Sequence, residues 1–136
     1  DTMSNQLKLG LAKIYLKDLS FESPISPKLF EKNMQPRVDV AVQMKHSHFR
    51  DNMHEVVLTL TVEGKAQDTV CFIVEIEQAG LFIFDDVAEA DIENAARNVC
   101  PQILFPYARA TIDAVMTQGG LPPLMLAPIP MPQSAQ

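Results

Sequence analysis

The 136-residue sequence predicts an α+β fold, in which a four-stranded antiparallel Greek-key sheet is packed with helices. Up to Phe84, several segments alternate apolar and polar side chains, which is the pattern of half-buried strands. After Phe84 the period becomes helical. The proline-punctuated connection at residues 23–35 is too long for a hairpin and predicts a crossover to a non-adjacent strand.

Segments 37–44, 54–63 and 69–78 alternate polar residues with valine, leucine, isoleucine, phenylalanine or methionine along most of their length. A turn at residues 63–68, which contains Gly64, joins the last two as a hairpin. Segment 7–22 is less regular, because its leucines and isoleucines switch parity twice. Either a strand with a β-bulge or a strand buried on both faces would show this pattern.

Two helices are predicted after the strands. The first covers residues 88–100, with N-cap chemistry from Asp85 and Asp86, and Pro101 interrupts it. The second has Pro106 in its first turn and ends at Gly119-Gly120. Residues 121–136 contain five of the ten prolines and should be extended. These features predict a flexible segment at 1–8, one domain at 9–129 and a short proline-rich tail at 130–136.

Charge is unevenly distributed along the chain. Eleven basic and 17 acidic residues give a net charge of −6, which argues against a nucleic-acid partner. Residues 63–93 hold nine acids and only one base. Glu75 and Glu77 share one strand face, and Asp18 and Glu22 share another. If the two strands are neighbours, these carboxylates form one patch, although a merely solvated sheet face is the commoner explanation.

No motif recommends an enzyme, and we expect no cofactor or metal. The glycines form no phosphate-binding loop and no nucleophile elbow. The polar residues around His46 and His48 predict a hairpin loop, and we expect both histidines to be exposed and not to bind metal. Cys71 has no feature that would lower its pKa and is predicted to be structural. Two cysteines suit a reducing cytoplasm, and the apolar runs are too short to insert in a membrane.

Apolar side chains also occur outside the predicted sheet. The crossover contains Leu29, Phe30 and Met34, and the segment after the second helix contains Leu121, Leu124, Met125, Leu126 and Ile129. The edge of an ordinary core would account for them. Flexible methionine and leucine on extended segments would also suit a groove that accepts many partners.

Several motifs occur in the same order as in the SecB family of bacterial protein-export chaperones. They include IYLKDLSFESP at 14–24, QP at 35–36, EVVL at 55–58, CPQILFPYAR at 100–109 and LMLAPI at 124–129. The chain resembles this family over nearly all of residues 9–129. The resemblance implies a sheet whose crossover joins its outermost strands, with the first strand beside the fourth.

The resemblance also implies a cytoplasmic, ATP-independent holdase that binds unfolded preproteins and passes them to the SecA ATPase. Self-association as a homotetramer, a dimer of dimers, is implied as well. A SecB-like chaperone dedicated to a toxin–antitoxin system is the alternative. Carried over by motif, the SecA-facing residues are Asp18, Glu22, Ile73 and Glu75. The client groove maps to Leu29, Phe30, Met34, Leu121, Leu124 and Leu126, and the oligomer interface to Ala95, Ala96 and Cys100.

Overall fold

A computed structural model describes residues 8–31 and 33–128. Strands β1 (Leu9–Glu22), β2 (Arg37–Arg50), β3 (Met53–Ala66) and β4 (Thr69–Phe84) form one antiparallel sheet, followed by helices α1 (Glu89–Asn98) and α2 (Cys100–Gln118). The order across the sheet is β1-β4-β3-β2, so the crossover joins the two outermost strands. The predicted fold class is therefore confirmed. Most of the predicted N-terminal segment, the tail and Ile129 lie outside the described residues.

The two helices cover one face of the sheet, which we call the helix side. Alternate residues of β3 and β4 point to this side, and their apolar side chains are almost completely buried, as at Leu58, Leu60 and Ile76. Helix α2 contributes Leu104 and Ile112 to the same core. The opposite face, which we call the outer face, is not covered by either of these two helices and carries the polar half of each alternating strand.

Strand β1 contains bulges, as its irregular pattern suggested. Its register against β4 shifts between Leu11 and Lys13 and again between Leu16 and Asp18. Buried Gln78 donates from Nε2 to the carbonyl oxygen of Tyr15 at 3.1 Å, which satisfies a polar group in the core beside the second shift. An extra residue in each bulge explains why the leucines change parity along this strand.

The hairpin between β3 and β4 is tighter than the predicted turn at 63–68. Its two loop residues are Gln67 and Asp68, both with positive φ, and Gly64 lies inside β3. A side chain at Gly64 would collide with the buried ring of Phe72, so close packing requires glycine there. A register shift between Gly64 and Lys65 turns Cys71 into the core, although simple alternation placed it on the outer face.

The predicted polar loop at His46 and His48 is wrong, because β2 continues to Arg50. Both histidines are paired with β3 on the helix side, and His46 Nε2 lies 2.9 Å from Nδ1 of His54. Burial lowers the pKa of His46 and of His54, which favours neutral rings. The alternation of inward and outward side chains continues through this part of β2. It could not be recognised from hydrophobicity, because histidine stands at the inward positions where valine stands earlier in the strand.

Two details of the helices also differ from prediction. Ala88, rather than Asp85 or Asp86, is the N-cap of α1, and it provides no side-chain hydrogen bond. Pro106 lies inside α2, not in its first turn, because Pro101 already occupies the start of that helix. The predicted end at Gly119 is confirmed. In the part of the chain described, neither helix has the length and apolar character needed to span a membrane.

Candidate functional site

The crossover and the segment after α2 meet on the surface. Phe30, at the end of a short 3₁₀ helix in the crossover, places its ring where any side chain on Gly120 would have to fit. We call the surface formed by residues 23–31, 33–35 and 121–128 the crossover groove. Within it Phe30 is 52% exposed and Met125 is 75% exposed, which leaves apolar area open to a ligand.

The other predicted groove residues are buried or half-buried and attach the two segments to the core, so they provide little exposed surface. Leu29 is buried in the core and anchors the crossover beneath Phe30. Four more are partly buried against the same core: Met34, Leu121, Leu124 and Leu126. The predicted groove residues therefore divide into five that pack in or against the core and one, Phe30, whose side chain is exposed.

Helix α2 fixes the extended segment through its side chains. Asp113 Oδ1 accepts hydrogen bonds from the backbone N–H of Leu124 at 3.0 Å and of Met125 at 3.1 Å. Arg109 Nη1 donates to the carbonyl oxygen of Leu126 at 3.5 Å. These bonds hold Met125 in a left-handed conformation, with φ of 53°, and direct its side chain outward.

We expect the substitution Asp113→Ala to release the segment 121–128 from α2. A hydrogen bond to a charged group contributes about 1.5–3 kcal/mol, so protection of the Leu124 and Met125 amides should fall by about one to two orders of magnitude. Hydrogen exchange followed by NMR measures this directly. Asp113→Asn retains an acceptor oxygen and should have a smaller effect. Unchanged protection in the alanine variant would show that apolar packing alone holds the segment.

The predicted acidic residues lie together on the outer face. β1 is hydrogen-bonded to β4, and residues opposite each other in register share a face. The three relevant pairs are Asp18 with Glu77, Ser20 with Glu75 and Glu22 with Ile73. We call Asp18, Glu22, Ile73, Glu75 and Glu77 the acidic patch. Its carboxylates surround one apolar side chain, as the strand order predicted.

A polar bridge crosses the outer face beyond the acidic patch. The hydroxyl of Tyr15 donates to Glu55 Oε2 at 2.5 Å, and Lys17 Nζ lies 2.9 Å from Glu55 Oε1. Burial alone would raise the pKa of Glu55, but the bonds from Lys17 and Tyr15 outweigh it and lower that pKa. Burial and the Glu55 carboxylate raise the pKa of Tyr15 to about 12. Sequence reasoning missed this bridge, because it joins residues from strands far apart in the chain.

The residues predicted for the oligomer interface lie inside the protomer. Ala95, Ala96 and Cys100 are buried between the helices and the sheet. Exposed apolar surface occurs instead on the edge strand β1, at Leu11, Leu16 and Leu19. These leucines point to the helix side but lie beyond the cover that the helices provide. Any interface with a second copy therefore has more apolar surface available on β1 than at the three predicted residues.

No reactive centre is apparent in residues 8–31 and 33–128. Both cysteines are buried, and burial raises the pKa of Cys100 to about 12. No group of three histidine, cysteine, aspartate or glutamate side chains in these residues is placed to hold a metal ion. What the described surface offers is apolar and charged area for binding.

A sheet with helices on one face and a long crossover over its edge is the fold of SecB-like chaperones. A SecB-like chaperone of Mycobacterium tuberculosis, solved in complex with a ChAD peptide from the antitoxin HigA1, superposes with a TM-score of 0.72. The aligned region covers 93% of this chain and 89% of that chain at 19% identity, which shows the fold.

The family follows from closer relatives. The model of the family described as preprotein translocase subunit SecB matches residues 2–133. The protein-export protein SecB of Marinobacter nauticus is 44% identical over 125 residues, which span 92% of this chain and 76% of that protein. Its counterpart in Hahella chejuensis is also 44% identical, over 88% of this chain and 76% of its own length. The chain belongs to the SecB family of protein-export chaperones.

Proposed function

We propose that the protein is an ATP-independent holdase, which binds unfolded preproteins along the crossover groove and delivers them to the SecA ATPase. The exposed apolar side chains of Phe30 and Met125 are the observation that supports client binding. They belong to two segments that are tied to the rest of the fold through Leu29 and Asp113. Such side chains provide apolar contact without the polar groups that would select one sequence.

Weak contacts are sufficient for this role when they act together. Complete burial of one leucine or phenylalanine side chain stabilises a complex by roughly 1.5–3 kcal/mol. A client that reaches several linked grooves gains a further factor of about 10² to 10⁴ in affinity, without any specific contact. Binding of this kind is broad and tolerates sequence differences among clients.

Delivery to SecA is proposed to use the acidic patch. Asp18 and Glu22 are exposed on the outer face, and both helices of the described chain lie on the other side of the sheet. The four carboxylates of the patch, with Ile73 among them, would complement a basic surface with an apolar centre. Because the crossover groove and the patch involve different residues, client and motor need not compete for the same side chains.

Self-association is proposed to begin at the free edge of β1. Within residues 8–31 and 33–128 this strand pairs only with β4, so its other edge carries backbone groups available to a second copy. The exposed leucines of β1 lie beside that edge. Pairing two copies there would extend the sheet and bury those leucines, and a dimer of such dimers would give a tetramer.

A dedicated toxin–antitoxin role is not favoured. The structural neighbour bound to an antitoxin peptide is only 19% identical to this chain. The relatives at 44% identity are named as protein-export proteins. General export is therefore the function that we propose.

We expect the wild-type protein to delay aggregation of a destabilised preprotein in the absence of ATP, as followed by light scattering. The double substitution Phe30→Ser with Met125→Ser should weaken that protection several-fold, because it removes the two most exposed apolar side chains of the crossover groove. Phe49→Ser is the matched control, since Phe49 is 55% exposed but lies outside that groove. The proposal fails if wild-type protein gives no delay at any ratio, or if both variants lose protection equally.

A further inference from the structure

The outer face carries a second surface, at the opposite end from the acidic patch. Its central row consists of residues opposite one another on four strands, Lys13, Leu81, Glu55 and Ser47. Along β4 this row is six residues from Glu75, which corresponds to about 20 Å. A groove of about 470 Å³ lies over it, and Phe49 also lines it. We call this the basic groove.

The net charge of the basic groove depends on which of its charged side chains already form ion pairs with each other. Glu55 is occupied by Lys17 and Tyr15, so its negative charge is offset within the bridge. Lys13 lies within 4.0 Å of no carboxylate among residues 8–31 and 33–128, and it remains an uncompensated cation at the rim. The groove therefore combines a positive charge with apolar area from Leu81 and Phe49.

The shape favours an extended ligand over a compact one. A second hollow of about 510 Å³ adjoins the basic groove and shares Lys17, Ser47 and Glu55 with it. Lys45 lines this second hollow, and so does Glu77 of the acidic patch. Together they form a trough across the sheet surface, open to solvent along its length. Edge pairing of β1 with another strand would use backbone groups and leave the trough accessible.

We propose that the basic groove binds an extended acidic segment of a partner protein. The segment places a carboxylate against Lys13 and an aromatic or large aliphatic side chain against Leu81 and Phe49. Charge complementarity selects an acidic partner, and the apolar wall selects a bulky side chain next to the acid. This site goes beyond client holding and SecA delivery, since none of the residues that line the basic groove itself is assigned to either role.

The probe is a fluorescently labelled peptide that alternates glutamate with phenylalanine and leucine, and binding is followed by anisotropy. An otherwise identical peptide with lysine in place of glutamate is the comparison. The acidic peptide should bind more tightly, and the difference should shrink as salt increases. Lys13→Glu should weaken acidic-peptide binding about tenfold or more at low salt. Phe49→Ser should weaken it several-fold at any salt concentration.

Lys28→Glu is the matched control, because it makes the same charge change on the crossover and should alter affinity less than about twofold. Equal binding of the two peptides would overturn the proposal, as would full binding by Lys13→Glu. Loss of binding on Phe30→Ser would show that the peptide uses the crossover groove instead. If Lys13→Glu abolishes a concentration-dependent increase in mass, the occupant is a second copy of this chain and the proposed partner is wrong.

Discussion

Replacing Leu16 and Leu19 with aspartate is expected to reduce the assembled protein to single chains of 15.1 kDa. The two side chains are 44% and 40% exposed in the protomer, so the fold depends on them only in part. Both lie on β1, the strand with a free edge. Two carboxylates at each side of a strand-paired interface would be buried without partners, which costs several kcal/mol per uncompensated charge. Light scattering coupled to size-exclusion chromatography measures the mass.

The control for this experiment is Val38→Asp, on the other edge strand. Val38 is 37% exposed and lies on β2, so the change tests whether any new charge at a sheet edge disperses the assembly. Its mass should match that of the wild type. Circular dichroism should show unchanged strand content in all variants. An assembled mass that survives both β1 substitutions would place the interface elsewhere, and the exposed face of α1 would be the next surface to test.

Period-two alternation was sufficient to predict the centre of the sheet. Leu58, Leu60 and Ile76 alternate with polar residues, and burial on one face of an antiparallel sheet requires that pattern. The ends of strands were harder to predict. His46 and His48 continue the inward face of β2, but they are polar; His48 is exposed, and the half-buried His46 packs against His54, whose ring in turn packs against Phe84. Only the tertiary structure provides those contacts.

The candidate surfaces differ in how far the sequence could predict them. Adjacency of Asp18 and Glu75 required only the parity of each strand and the order of strands in the sheet. The hydrogen bond from the Leu124 N–H to Asp113 could not be predicted. The segment that contains Leu124 is extended and has no periodic pattern, so its sequence does not indicate which helix it packs against. The sequence also could not show that Ala95 is buried within the protomer. Small residues allow close packing both within a chain and between chains, so an alanine does not distinguish the two.

Reversing two charges of the acidic patch, Asp18→Lys with Glu75→Lys, is expected to weaken SecA binding by about tenfold or more at low salt. The substitutions remove two attractive charges and introduce two repulsive ones on the same surface, and like charges across an interface cost several kcal/mol. Ten-fold in affinity corresponds to about 1.4 kcal/mol. The loss should be smaller at high salt, because charges on an exposed face are screened beyond about 10 Å at 0.1 M. Calorimetry at two salt concentrations measures both effects.

The control variant for charge reversal is Glu31→Lys with Asp91→Lys. It changes the net charge by the same amount as the patch variant, but its two residues lie on the crossover and on α1. Its affinity for SecA should remain within about twofold of the wild type, because the added charges lie off the outer face. The patch variant should keep its assembled mass and its protection of unfolded preprotein. Unchanged SecA affinity would mean that the acidic patch is only a solvated sheet face. Loss of assembly instead would mean that Asp18 and Glu75 lie at a contact between copies, which would transfer the proposed interface from the edge of β1 to the outer face.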